Sequence, residues 1–177
     1  MRRINFRRGA VQLVVAFFVF LALAQNPVNL ELVSFKVVAH KSESGRLIEE
    51  LKPAVKVFPG DVLEWRLRAK NNSKIIIKNV SLIIPIPAET YYLKNSASVL
   101  QVKHGDQEIT IRPSFSYDGG HTFARPPLFK EVRRVVNGKE VVKEIPVPPE
   151  EYTHARWVLE EMLPGETVEV FLRTVVR

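Results

Sequence analysis

Phe58-Pro59-Gly60-Asp61-Val62-Leu63-Glu64-Trp65-Arg66-Leu67-Arg68-Ala69-Lys70-Asn71-Asn72 is the stretch whose reading decides the fold. Pro59, Gly60 and Asp61 are turn residues for different reasons: a preset φ, freedom at positive φ, and a side chain that bonds its own backbone. After them Leu63, Trp65, Leu67 and Ala69 recur at every second position, with Glu64, Arg66, Arg68 and Lys70 between them. Successive side chains of a strand point to opposite faces, so this alternation predicts a strand with one buried and one solvated face. Trp65 is the largest apolar group on the buried side and is expected near the centre of the core. Asn71-Asn72-Ser73 closes the strand in a polar turn.

Around this strand the chain has the balance of one ordinary domain. Its 177 residues can bury a core that folds alone, and its apolar and charged fractions, 46% and 25%, are those of a globular protein. There is no cysteine, which excludes disulfides, thiolate chemistry and cysteine-ligated zinc. The net charge of +7 is weighted to one end, where Arg2, Arg3, Arg7 and Arg8 precede the first acid, Glu31. Setting those four of the 26 basic residues aside leaves 22 against 19 acids. The remainder alternate with acids along strand patterns, which describes a solvated sheet face and not a nucleic-acid footprint.

The N-terminus reads separately. Val11 to Leu23 are apolar apart from Gln12, and Ala22-Leu23-Ala24 sets small residues at both positions a signal peptidase reads, with Gln25 next. A basic start, an apolar run of about 7–15 residues and an A-x-A site describe a secretory signal peptide. The run is short of the about 20 residues a spanning helix needs. An uncleaved anchor in the inner membrane is the alternative. The expected division is a signal-peptide helix over 1–24, a linker over 25–29 and one domain over 30–177.

Further strands follow in order. Leu30 to Val38 and Leu47 to Val57 are extended, and Pro53 in the second suits an edge strand. Val80, Leu82, Ile84 and Ile86 share one face of a strand that Pro85 and Pro87 terminate. Tyr91 to Leu93, Val99 to Val102, and Ile109 with Ile111 are shorter pieces around the turn His104-Gly105-Asp106. Asp118-Gly119-Gly120 and Asn137-Gly138 are hairpin signals, the second between β-branched runs. Tyr152 to Leu159 place Ala155, Trp157 and Leu159 together, and Pro164-Gly165-Glu166 repeats the opening turn before a last strand, Thr167 to Val176. That strand carries apolar residues on both faces, so either side can be inward. Short strands with turns every ten to fifteen residues predict an all-β, Ig-like β-sandwich of about 7–9 antiparallel strands.

Taken in order, these motifs resemble the bacterial Ig-like conserved repeat domain of unknown function, the DUF-eleven type. Its proline-glycine-aspartate turn, aromatic-centred strand and asparagine-rich turn are matched by Val57 to Asn72, and its proline-flanked strand by Val80 to Tyr92. Ser116 to Gly120, Arg156-Trp157 and Pro164 to Glu166 match its hairpin, its arginine-tryptophan strand and its final turn. The resemblance spans most of residues 30–177, in a single copy. It implies secretion and a structural or adhesive role at the cell envelope or surface, and it brings no catalytic residues.

The residues offer little chemistry of their own. His40, His104, His121 and His154 sit in no metal-ligand spacing, and no calcium-loop pattern occurs. Adjacent acids in Glu49-Glu50, Glu150-Glu151 and Glu160-Glu161 point to opposite faces of a strand and make poor acid–base pairs. Ser116 to Phe123 resembles the Asp-box hairpin of sialidase-like propellers, but a propeller needs one repeat per blade and this chain has one. Arg156 and Trp157 are expected to face water and core respectively. No enzyme, cofactor or metal is expected. The expected partner is an envelope or surface protein or polymer, with no nucleic acid. The alternative is a carbohydrate-binding or accessory domain using Tyr91, Tyr92, Phe123 and Phe129.

Overall fold

The structure is a computed structural model and describes residues 27–136 and 139–177. The expected signal peptide with Ala22, Ala24 and Gln25, and the Asn137-Gly138 turn, lie outside the described residues. The chain forms β1 (Val28–Lys41), β2 (Leu47–Pro53), β3 (Val62–Asn71), β4 (Ile77–Pro85), β5 (Thr90–Tyr92), β6 (Leu100–His104), β7 (Gln107–Ile111) and β8 (Ser114–Ser116). β9 (Leu128–Val136), β10 (Lys139–Val147), a short 3-10 turn (Pro149–Glu151), β11 (His154–Met162) and β12 (Thr167–Val176) complete it. The fold is an all-β sandwich. Its twelve strands exceed the number expected because three-residue pieces such as β5 and β8 are too short to leave a period in sequence. Val28 and Asn29, expected in a linker, already pair with Asn71 and Lys70 of β3.

One sheet has the order β2-β1-β3-β12-β5, and the sheet facing it has the order β4-β11-β8. All neighbours are antiparallel. Two separate hairpins, β6–β7 and β9–β10, complete the described strands. Leu67 and Ala69 of β3 and Val168, Val170 and Leu172 of β12 form one wall of the core. Val80, Leu82 and Ile84 of β4 and Ala155, Trp157 and Leu159 of β11 form the other. The β12 ambiguity is thereby resolved: Val170 and Leu172 point in, Glu169, Phe171 and Arg173 point out.

Trp65 faces the core side but is only half-buried, and the fully enclosed tryptophan is Trp157. Trp157 lies on the middle strand of the smaller sheet, inside the core cluster, while Trp65 only packs against that cluster from its margin. Each indole finds an acceptor: Trp65 Nε1 donates to Thr174 Oγ1 at 2.9 Å and Trp157 Nε1 to the Ser98 carbonyl at 2.9 Å.

Glu64, expected on the solvated face, is 1% exposed. It does point to the outer face, but Arg66 approaches it at 2.7 Å and Arg173, its cross-strand neighbour, at 2.9 Å. Glu49 from β2 reaches Arg173 at 2.8 Å. These long side chains close over the carboxylate, so a position polar by pattern becomes buried by its neighbours. The bond to Glu49, and that to Glu64, hold the Arg173 guanidinium above its usual pKa against the opposing effect of burial.

Asn71 stitches together two crossovers between the sheets, β3 to β4 and β11 to β12. It is fully buried, and its Nδ2 donates to the carbonyls of Ile75, Met162 and Leu163 at 2.9, 3.0 and 3.1 Å. Its Oδ1 accepts from the Ser73 backbone and hydroxyl at 2.9 and 2.7 Å. Gly165, at φ 75°, donates its N–H to the Asn71 carbonyl, and Asn71 N–H donates to the Glu166 carbonyl. The Pro164-Gly165-Glu166 turn and the end of β3 are thus one bonded unit. At the opposite end Gly60, at φ 89°, sits in the Pro59-Gly60-Asp61 turn, where Asp61 accepts from Lys36 Nζ and Phe58 N–H, both at 2.7 Å. Those two bonds, Lys36 first, lower the Asp61 pKa.

Candidate binding surfaces

Three surfaces carry features that the packing of a sandwich does not by itself require. The first is the N-terminal half of β1. Val28 to Val37 pair with β3, but β2 pairs only with Phe35 to Lys41. Val28 to Ser34 therefore present an unpaired ladder of backbone groups among the described residues. Leu30 and Leu32 lie on the inner face of this segment, opposite Ala69 and Leu67, and are 55% and 42% exposed. The facing sheet stops at β4, which packs over β3. β4 is also an edge, but Asn79 at φ 55° interrupts its ladder and Pro85 ends it. Bulges and prolines are the devices that blunt edges. Val28 to Ser34 carries no proline, lysine or positive-φ residue.

The second surface is the loop from Ser116 to Phe123. Asp118 organises it. Its Oδ1 accepts from the Ser116 hydroxyl at 2.6 Å and the Thr122 N–H at 2.9 Å, and its Oδ2 accepts from the Thr122 hydroxyl at 2.6 Å. The Ser116 hydroxyl also accepts from Gly120 N–H at 2.9 Å, and Phe115 bridges Ala124 to close the loop. Gly119 and Gly120 have φ of 76° and 89°, which explains two successive glycines. The bonds from Ser116 and then Thr122 hold the Asp118 carboxyl far below the usual range. All of Asp118's partners are within its own loop or strand end, so its role is to shape the turn.

The third surface is a cavity of about 440 Å³ between the β6–β7 hairpin and the outer face of β11. Val102, Ile109 and Ile111 line one side, Val158 and Arg156 the other, with Arg112, Ser114 and Arg125 at one end. His104 of β6 lies 3.3 Å from Glu166, which fixes the hairpin to the β11–β12 turn. Arg156 does not extend into water as expected. Its guanidinium carbon lies 4.1 Å from the Phe123 ring centroid, a cation–π stack, and the residue is half-buried. Sequence alternation set the face of Arg156 correctly, but only the loop that brings Phe123 over β8 and β11 decides what lies above it.

The aromatic residues expected to form a row are dispersed. Tyr92 is buried against Phe115 and Tyr152, at ring-centroid distances of 4.8 and 6.0 Å. Tyr91 points the other way on β5, 6.0 Å from the Arg177 guanidinium. Phe123 stacks on Arg156, and Phe129 is exposed on the β9–β10 hairpin, opposite Pro146. Among the described residues no three His, Asp or Glu side chains converge to hold a metal ion, and no helix is long and apolar enough to cross a membrane. No family model matches the chain, and neither a curated protein nor a solved structure matches it.

Proposed function

We propose that this chain is an exported, non-enzymatic Ig-like interaction module of the cell envelope or surface. Its partner is a protein that adds an extended segment to the open edge of β1. The observation that carries this reading is Val28 to Ser34: among the described residues, a strand bonded on one side only, with Leu30 and Leu32 exposed on a sheet face that no described strand covers. Strand addition draws affinity from backbone hydrogen bonds and specificity from alternate side chains, so an edge beside an uncovered apolar strip supplies both. The basic, apolar and small-residue succession before Gln25, and the resemblance to conserved-repeat domains, support export and an envelope role. The dispersed positions of Tyr91, Tyr92, Phe123 and Phe129 favour this reading over a flat carbohydrate platform.

The test is site-specific photocrosslinking of the full chain in cells. A crosslinker at Leu30 is expected to give one discrete protein adduct that maps to an extended segment of the partner. Leu32→Lys, a charge of the kind that guards natural edges, should remove it. A crosslinker at Val55, 90% exposed in a loop, is the control. The same adducts at both positions, or none at Leu30, would overturn the edge. Turnover of a substrate by the purified protein, abolished by one substitution that leaves it folded, would overturn the non-enzymatic reading. N-terminal sequencing of the exported product checks for a start at Gln25.

A further inference from the structure

We infer that the cavity between the β6–β7 hairpin and β11 is a binding site for a small oxyanion, a carboxylate or a phosphate ester with an apolar body. Arg112, Arg125 and Arg156 all line this space. Among the described residues none of the three makes an ion pair or a side-chain hydrogen bond. Arg112 and Arg125 are exposed and Arg156 is half-buried. The other half-buried guanidiniums among the described residues behave differently from Arg156: Arg66 and Arg173 are each held by two carboxylates.

Arg156 is the centre of the site. The Phe123 stack fixes its plane, and its Nε is the buried side-chain nitrogen left without a partner among the described residues. A half-buried cation with an unanswered donor is costly unless something in its surroundings carries the opposite charge. Two acids also line the space, Glu160 and Glu161, the second 3.7 Å from Lys78, while the His104 partner Glu166 lies at the turn. Three arginines outnumber these two carboxylates. Guanidinium forks match the two-oxygen edge of a carboxylate or phosphate, which lysines do not. Ile109, Ile111 and Val158 supply apolar walls for whatever carries the anion. The size falls within the range of small-molecule pockets, about 300–1,000 Å³. This site lies on β11 and the β6–β7 hairpin and is independent of the β1 edge.

Binding is to be read by NMR titration of the purified protein with inorganic phosphate and, separately, with citrate, at constant ionic strength set by chloride. Saturable shifts centred on β11, Phe123 and the β6–β7 hairpin are expected. Saturation by phosphate alone assigns a phosphate ester, and saturation by citrate alone assigns a carboxylate. Arg156→Gln should weaken the binding by about tenfold or more, the loss of one charge-assisted bidentate contact. That substitution also removes the Phe123 stack, so Arg125→Gln, at an exposed position, is the second variant and should weaken binding about threefold with an unchanged melting temperature. Glu160→Gln should tighten it. Shifts that chloride reproduces, or a Kd indifferent to both arginine variants, would overturn the site.

Discussion

Leu32 and Leu67 are cross-strand neighbours on one face of one sheet, as are Leu30 and Ala69. Leu67 and Ala69 are 4% and 0% exposed, while Leu32 and Leu30 are 42% and 55% exposed. The four residues share a face, a sheet and an alternating pattern. What separates them is the facing sheet, which lies over β3 and ends there. Alternation therefore reports which way a side chain points. It carries no information on whether a second layer is present above it. Among the described strands, the three-stranded sheet and β6, which packs on β12, leave the inner face of β1 open at Leu30 and Leu32.

The contrast can be broken hardest at its covered end. Trp157→Ala should cost about 4 kcal/mol of stability, the cavity left by a large side chain in the fully enclosed layer, and urea unfolding would measure it. Asn71→Ala comes next, at about 3 kcal/mol, because three backbone carbonyls and the Ser73 turn lose their buried partner together. Arg173→Met should cost about 2 kcal/mol by leaving the buried Glu64 with one guanidinium in place of two. At the open end, Leu32→Thr should change stability by about 0.5 kcal/mol or less, as for an exposed site, while reducing the Leu30 crosslink. A loss at Leu32 comparable to that at Trp157 would mean that β1 is covered in solution.

The Asp118 loop sharpens the same lesson at a smaller scale. Its carboxyl is held below the usual range by Ser116 and Thr122, so the stability it contributes is present above the unfolded pKa of about 4 and is lost as pH falls towards its lowered folded value. Thermal melts of wild type and Asp118→Asn should diverge above about pH 4 and converge in stronger acid. A gap that persists unchanged to low pH would show that the loop depends on the shape of the side chain and not on its charge.

Much of the fold was legible because its signals are local. The turn residues at Pro59-Gly60-Asp61, Asp118-Gly119-Gly120 and Pro164-Gly165 mark chain reversals, and the glycines there take positive φ, which their sequence neighbours alone suggest. The inward faces of β4 and β11 followed from period two. The misreadings have a common cause. Size points Trp65 to the centre of the core, and alternation points Glu64 to the solvated face. The first depends on which residues the facing layer sets over the indole, and the second on Arg66, Glu49 and Arg173, which meet only after folding.

By itself the sequence determined the all-β class, the direction of most side chains and the positions of the turns, because each depends on residues within a few positions of one another. Tertiary structure alone decided the unequal width of the two sheets, the open edge at Val28 to Ser34, the burial of Glu64 and the gathering of Arg112, Arg125 and Arg156 around one cavity. Those features join residues up to more than a hundred positions apart, as Glu64 and Arg173 are, and no local period records them.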